Sequence, residues 1–280
     1  MTQGLTDRKI AVITGGGSGL GAALAERAAA DGLTVILADR NEQALKETVS
    51  SLSANGAEVC GITTDVSDPA AVDSLAAEVL RRFGPPSLLV NNAGIELIGP
   101  IWEFSAEELN RIVQVNVLGA MQMVRAFAPA MIAGGQPSRI ANFASVGALG
   151  IMPFQTAYIL TKQAVIAYSE GLELELRETA PQIKVSVVLP GPVSTSIFEL
   201  RSPRAPQAAA LHSTLQSMLA QAMPAQEAAG IIMGMLQEGR FWVSSHPEQL
   251  AHMAAVRGAA ISVLEDPSLS DDAKAVIKGV

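Results

Sequence analysis

The run Ile10–Gly21, IAVITGGGSGLG, constrains the fold more than any other stretch: an aliphatic segment stops at a cluster of glycines and passes straight into an amphipathic one. That is the order strand, tight turn, helix. The rhythm recurs along the chain, with VILA, SLLVN and VSVVLP as further near-continuous apolar runs separated by longer amphipathic stretches. Such runs are what parallel strands look like when helices cover both faces of the sheet. The pattern predicts an α/β fold, a doubly wound parallel sheet of about seven strands at 9–14, 34–38, 58–63, 87–91, 138–144, 183–189 and 241–244. Helices are expected near 19–31, 41–54, 69–83, 105–133, 156–179 and 225–238, joined to the strands by right-handed crossovers.

Two regions escape this alternation. Residues 192–224 form a long connection with no clear strand, and a connection of that length in a compact domain usually has a role. Its apolar residues, among them Ile197, Phe198, Leu211 and Leu215, predict a lid that folds over something. Residues 245–280 read as a C-terminal extension with a helix at about 247–264. No linker divides the chain, so one domain over 1–280 is expected, with its core at 8–244.

Composition narrows the function. Of 280 residues 49% are hydrophobic, enough for one large core, and the net charge of −8 argues against nucleic acid, whose readers carry a basic face. No uncharged apolar run of about 18 residues appears and the N-terminus lacks a signal-peptide layout, so a soluble, cytoplasmic protein without a membrane partner is expected. Cys60 is the single cysteine, which excludes an internal disulfide, and it reads as a buried inert thiol on a strand. His212, His246 and His252 show no ligand spacing, so no metal is expected.

The glycine turn itself has chemistry. Gly15, Gly19 and Gly21 follow the spacing G-x-x-x-G-x-G. Glycine at the first position allows the tight turn, at the second lets backbone approach a pyrophosphate, and at the third lets helix and strand pack closely. Amides at the helix start and the helix dipole then favour an anion, which points to a dinucleotide and a Rossmann-type sheet. Asp39 ends the second strand eighteen residues beyond Gly21, where a carboxylate accepts from ribose hydroxyls and repels a 2′-phosphate. NAD is therefore expected over NADP. Arg40 keeps NADP open, because it could instead meet that phosphate. Asp65, after the third strand, is placed to meet the adenine amino group, while Asp68 before Pro69 suits a helix cap.

At the other end of the chain Tyr158 and Lys162 stand four residues apart in AYILTK, with Ser145 thirteen positions before the tyrosine. Residues four apart on a helix share a face, so the Lys162 ammonium is expected beside the phenol. A free phenol titrates near pH ~10, and a neighbouring cation favours the phenolate. Tyr158 is thus expected to take or give a proton near neutrality, with the Ser145 hydroxyl bonding the oxygen that changes protonation.

These residues together resemble the short-chain dehydrogenases/reductases over about 8–200. TGGGSGLG is similar to the family's cofactor loop, Asn91-Asn92-Ala93-Gly94 to its NNAG motif, and Pro190 to Thr195 to its P-G-x-x-x-T segment. Asn116, Ser145, Tyr158 and Lys162 fall on the catalytic positions. The resemblance implies a secondary-alcohol or ketone substrate, Tyr158 as general acid/base, Ser145 polarising the carbonyl, Lys162 on the nicotinamide ribose and Asn116 holding a relay water. It implies cofactor contacts at Gly15, Gly17, Ser18, Gly19, Leu20 and Gly21, and at Asp39, Arg40, Asp65 and Val66. Further along it implies Asn92, Ala93 and Gly94, then Pro190, Gly191, Val193 and Thr195, with Tyr158 and Lys162 shared between cofactor and chemistry. Pocket walls are expected from Ile95, Val146, Met152, Phe154, Gln155, Ile197 and Phe198, whose apolar character suits a hydrophobic or aryl-bearing substrate. Glu96 borders that pocket but reads as a solvated loop residue. The resemblance further implies a homo-oligomer, dimer or tetramer, built on the two long helices. An NADPH-preferring reductase and an idle dinucleotide-binding redox sensor are the competing readings; the sensor is disfavoured because Ser145, Tyr158 and Lys162 are all present.

Overall fold

The computed structural model describes residues 9–195, 203–269 and 274. Seven parallel strands form the sheet, β1 (Ile10–Thr14), β2 (Thr34–Asp39), β3 (Val59–Thr63), β4 (Leu88–Asn91), β5 (Ser138–Phe143), β6 (Ile183–Val188) and β7 (Trp242–Val243). Their spatial order is β3-β2-β1-β4-β5-β6-β7. β1 pairs with β2 through Val12↔Ile36 and with β4 through Val12↔Leu89, so the order reverses between β1 and β4. Ligands of open α/β sheets bind beyond the carboxyl ends of the strands at such a switch.

Alternation along the strands sorts the core. Ala11 and Ile13 face the layer of α1 (Gly19–Ala30), α2 (Glu42–Ala54) and α8 (Ala225–Gln237), meeting Leu24, Ile232 and Met233. Ile10 and Val12 face α3 (Pro69–Arg82), α5 (Gly119–Gly134) and α6 (Thr156–Thr179), meeting Leu75, Phe127 and Leu176. Each fully buried side chain of this size stabilises the fold by about 1.5–3 kcal/mol. The helices start where capping residues stand. Asn41 accepts from the Ala44 amide at 3.1 Å, and Asp68 from the Ala70 amide at 2.9 Å with Pro69 following, as its sequence context suggested.

Four details differ from the sequence expectations. The helix expected at 105–133 is α4 (Ala106–Val113), a π turn over Gln114–Leu118, and α5. The region 192–224 contains a helix, α7 (Pro206–Ala220), whose Ala208 and Leu211 pack on Ile98, Met152 and Phe154. β7 is only two residues long. Cys60 is half-buried rather than buried, because β3 is an edge strand covered on one side by α2. The C-terminal helix, α9 (Pro247–Ser262), lies where expected. The helical run 106–134 is long and apolar enough to cross a membrane, yet Met123, Phe127 and Met131 are buried in the core beneath the sheet.

Candidate active site

The glycine turn and the loop after β4 interlock at the switch. Gly15 has φ +67° and Gly19 φ +52°, left-handed backbone that a side chain would strain. Asn92 donates from Nδ2 to the Thr14 carbonyl at 3.0 Å, and the Thr14 hydroxyl accepts from the Asn92 and Ala93 amides at 3.0 and 3.1 Å. At Gly21 there is no room for a Cβ, which would lie 2.0 Å from the Gly15 carbonyl oxygen. Ser18 stands at the N-terminus of α1 in extended conformation, its side chain making no capping bond, and no acidic residue occupies the first turn. Leu20 points into the core, so only its backbone can face the cleft. This is an anion cradle of amides.

Asp39 sits at the rim. One carboxylate oxygen accepts from the Gly17 amide at 2.9 Å and the other from the Asn41 amide at 2.9 Å, which fixes the group beside the turn. Arg40 is exposed next to it. The same cleft is lined by Asp65, Val66, Ala93 and Gly94. Asp65 is held by a residue the sequence reading passed over: Arg111 of α4 donates to it at 2.8 Å, and Ser67 donates through its hydroxyl at 2.7 Å. Partial burial pushes the Asp65 carboxyl up, but the Arg111 and Ser67 bonds outweigh it and hold the carboxyl low. An arginine at helical spacing on α4 gave no signal of its partner forty-six residues away.

Ser145, Tyr158 and Lys162 come together beyond the ends of β5 and β6. Ser145 leaves β5 at the start of a short 3-10 turn, and its hydroxyl accepts from the Gly147 amide at 3.1 Å and stands near enough to the Tyr158 phenol to pull its proton affinity down. Tyr158 and Lys162 lie in the first two turns of α6, both buried. Gly94 approaches Lys162 and Asn116 so closely that a Cβ there would lie 3.4 Å from Lys162 Nζ, which ties the loop after β4 to this cluster. The electrostatics run against the expected lowering of the phenol. Lys162 Nζ donates to the Phe143 carbonyl at 2.9 Å and stands 5.6 Å from the Tyr158 ring centroid. The Tyr158 phenol is pushed up, first by burial and then by the Glu96 carboxylate, with only the Ser145 bond pulling it down. Lys162 is itself brought down to about 8 by burial, opposed by Glu96. Desolvation outweighs the helical neighbour, so Tyr158 stands as a protonated donor rather than a ready phenolate.

Glu96 is the second correction. It is buried, not solvated, and Gln155 donates its side-chain amide to the carboxylate. Burial pushes Glu96 up to about 8, against the pull of the Gln155 bond and of Lys162. Asn116, within the π turn, accepts from the Ile95 amide at 2.8 Å and donates to the Ile95 carbonyl and the Thr161 hydroxyl at 2.8 and 3.0 Å. Its side chain is therefore used in fixing the loop after β4 against α6. π turns of this kind are frequent at functional sites.

The remaining walls divide. Met152 and Phe154 face α7, and Gln155 reaches Glu96. Val146 packs with Ala144, Val165 and Leu189 in a core cluster at the end of β5. Ile197 and Phe198 lie outside the described residues. Across the cleft, Thr195 approaches Gly19, Val193 bridges to Met223, and the Pro190 carbonyl accepts from the Val146 amide at 3.1 Å. Gly191 is covered by His246 and Gln249, so a Cβ there would lie 2.5 Å from the histidine ring. That contact ties the C-terminal extension to the cleft, a link the sequence pattern did not carry.

Comparison with known proteins agrees with this fold. The family described as short chain dehydrogenase matches residues 9–205. The chain is 31% identical to 1-deoxy-11-beta-hydroxypentalenate dehydrogenase of Streptomyces exfoliatus, over 86% of this chain and 84% of that protein. It is 37% identical to sorbitol dehydrogenase of Cereibacter sphaeroides, over 67% of this chain and 71% of that protein. Among solved structures it resembles a short chain dehydrogenase/reductase from Burkholderia phymatum in complex with NAD, with a TM-score of 0.89, 35% identity and coverage of 96% of this chain and 99% of that one.

Proposed function

Because the chain belongs to the short-chain dehydrogenase family, we propose that it is an NAD-dependent oxidoreductase that interconverts a secondary alcohol and a ketone, with Tyr158 as general acid/base. The observation that carries this reading is the meeting of Ser145, Tyr158 and Lys162 beyond the ends of β5 and β6, with Gly94 of the loop after β4 packed against Lys162. A dinucleotide fits the residues present: the first turn of α1 carries no acidic side chain and no Ser18 capping bond, which leaves its amides to an anion, and Asp39 stands at the rim beside them.

In this reading the amides of Ser18 to Gly21 hold the diphosphate, Gly17 is tied to Asp39 beside it, Asp39 accepts from the adenosine ribose, and Asp65 and Val66 border the adenine. Asn92, Ala93 and Gly94 shape the middle of the cleft. Pro190, Gly191, Val193 and Thr195 border the nicotinamide. When bound, the nicotinamide supplies the hydride acceptor or donor. Ser145 donates to the substrate oxygen, which frees the tyrosine hydroxyl to deliver its proton there in reduction or take it back in oxidation. Lys162 carries charge next to the ribose and passes protons outward past Asn116. A preference for NAD rests on Asp39, whose carboxylate, fixed beside the glycine turn, would accept from ribose hydroxyls and repel a 2′-phosphate, with Arg40 exposed next to it.

Substrate class follows from the wall. Met152 and Phe154, half-buried against the core cluster of Ile98, Ala208 and Leu211 where α7 meets the loops, give the expected wall an apolar and adaptable character, which suits a bulky hydrophobic alcohol or ketone. The relative that acts on a hydroxypentalenate is consistent with this by name. Exposed Leu118, Met121, Ile132, Leu160 and Leu174 on the π turn, α5 and α6 fit a homo-oligomer of a soluble, cytoplasmic enzyme. The direct test is reduction of NAD and of NADP, at equal concentration, by a panel of aliphatic, aryl, steroid and sugar secondary alcohols. Activity with hydrophobic alcohols and NAD is expected. A strong NADP preference would defeat the Asp39 argument, and no turnover of any alcohol or ketone would defeat the reaction class.

A further inference from the structure

We propose that Glu96 is a positioning residue for the proton transfer, a buried carboxyl clamped by Gln155 that sets the pH at which Tyr158 and Lys162 exchange their protons. This rests on the oxidoreductase reading above but concerns a residue outside the Ser145–Tyr158–Lys162 set.

The geometry around Glu96 is built rather than incidental. The residue before it, Ile95, is pinned through both amide and carbonyl by the Asn116 side chain at 2.8 Å each. Three residues after it, the Gly99 amide donates to the Phe154 carbonyl at 2.7 Å. Phe154 has φ +68°, left-handed backbone that is strained for a non-glycine residue. Strain of this kind persists where surrounding contacts impose it, and it clusters at functional sites. It places Gln155, at the N-cap of α6 and one turn before Tyr158, with its amide on the Glu96 carboxylate. Two loops that carry the site are thereby stapled together through a buried acid, and Glu96 is only 6% exposed.

A buried carboxyl with one amide partner is retained at a cost. Its influence falls on both members of the catalytic pair: a Glu96 carboxylate raises the proton affinity of Tyr158 and of Lys162. Other charged groups stand farther out on the same elements. Glu103 lies on the 3-10 turn, Glu107, Glu108 and Arg111 on α4 line the outer side of the Ile95–Leu97 segment, and α7 carries His212. Of the named groups, Lys162 and Gln155 act on Glu96 itself. Charge on Glu96 thus favours the protonated phenol that carbonyl reduction needs, and loss of that charge favours the phenolate that alcohol oxidation needs.

The test is Glu96→Gln, which keeps size and a hydrogen-bonding group but removes the charge, together with Glu96→Asp. The midpoint of the pH–rate profile for alcohol oxidation should move to lower pH in Glu96→Gln by on the order of one unit, and the midpoint for ketone reduction should move the same way. Glu96→Asp should return both toward the wild-type values. A role confined to holding the loops together would lower turnover or melting temperature and leave the midpoints in place, which would overturn the proposal. A second readout needs no turnover. In ¹³C-lysine-labelled protein the Lys162 side-chain signal, assigned by its loss in Lys162→Arg, should titrate at lower pH in Glu96→Gln than in wild type. An unchanged Lys162 titration would refute Glu96 even if no substrate were found, whereas a shifted titration without any oxidoreductase activity would sink the functional reading and leave the electrostatic one standing.

Discussion

Gly21→Ala tests the nucleotide cradle most sharply. A methyl group there would lie 2.0 Å from the Gly15 carbonyl oxygen, 2.8 Å from the Gly15 carbonyl carbon and 2.7 Å from Asn92 Nδ2. Packed heavy atoms settle at about 3.5–4.0 Å, so the turn must open by roughly 1.5 Å. Neither partner can give way cheaply. Gly15 is already held at φ +67°, and Asn92 Nδ2 is committed to the Thr14 and Gly15 carbonyls at 3.0 and 3.4 Å. Overpacking of this kind costs about 1–3 kcal/mol, and each hydrogen bond broken adds about 1 kcal/mol. The sum is about 2–5 kcal/mol, which for a domain of this size lowers the melting temperature by roughly 5–15 °C. Displaced amides should also weaken NAD binding by at least about tenfold, or about 1.4 kcal/mol. Calorimetric melting and titration of NAD read the two effects separately. Gly234→Ala is the control: it lies inside α8 with nothing within 4 Å of the added methyl, and should gain about 0.5–1 kcal/mol. A Gly21→Ala protein that melts with the wild type and binds NAD equally would refute the reasoning.

Asp39→Ala removes the acceptor that fixes the Gly17 amide and the ribose, so kcat/KM with NAD should fall about tenfold or more, about 1.4 kcal/mol, while NADP gains relative to it; an unchanged preference would contradict the assignment. Ser145→Ala deletes the bond that lowers the Tyr158 phenol, so the oxidation midpoint should move to higher pH and kcat should fall on the order of 10²–10⁴. An unmoved midpoint in pH–rate profiles would count against it. Stability should carry the same signature. Glu96 holds its proton to about 8 in the folded chain against an ordinary 4.5, so its contribution is full below the unfolded value and is lost as pH rises toward 8. Lys162 is lowered from 10.5 to about 8, so its contribution is present above 10.5 and lost as pH falls through 8. The difference in melting temperature between wild type and Glu96→Gln should therefore decline as pH rises from 4.5 to about 8; a flat difference would exclude Glu96 as a titrating group.

The sheet was legible because its inner strands are buried on both faces and read as nearly unbroken apolar runs, as VILAD and VSVVLP do. The glycine turn and Asp39 were legible for a different reason: backbone geometry there tolerates few residues. What escaped was long-range. Arg111 finds Asp65, His246 covers Gly191, and α7 closes on Phe154, contacts that no local period encodes. The expected Tyr158–Lys162 charge effect was a reading from helical spacing alone. Spacing places two side chains on one face but says nothing of how dry that face is, and here burial reverses the sign. Glu96 failed for the same reason, since an acid in a loop looks solvated until Gln155 and the loop around Phe154 are seen to enclose it.

The central claim, that the Tyr158 hydroxyl moves the proton while the rest of the cleft holds the cofactor, is tested most directly by Tyr158→Phe. The variant keeps the ring and loses the phenol oxygen beside Ser145. Turnover of the best alcohol should fall on the order of 10²–10⁴-fold, with the dissociation constant for NAD unchanged within about twofold. Turnover at the wild-type rate would mean that another group carries the proton, and the account of this site would be wrong.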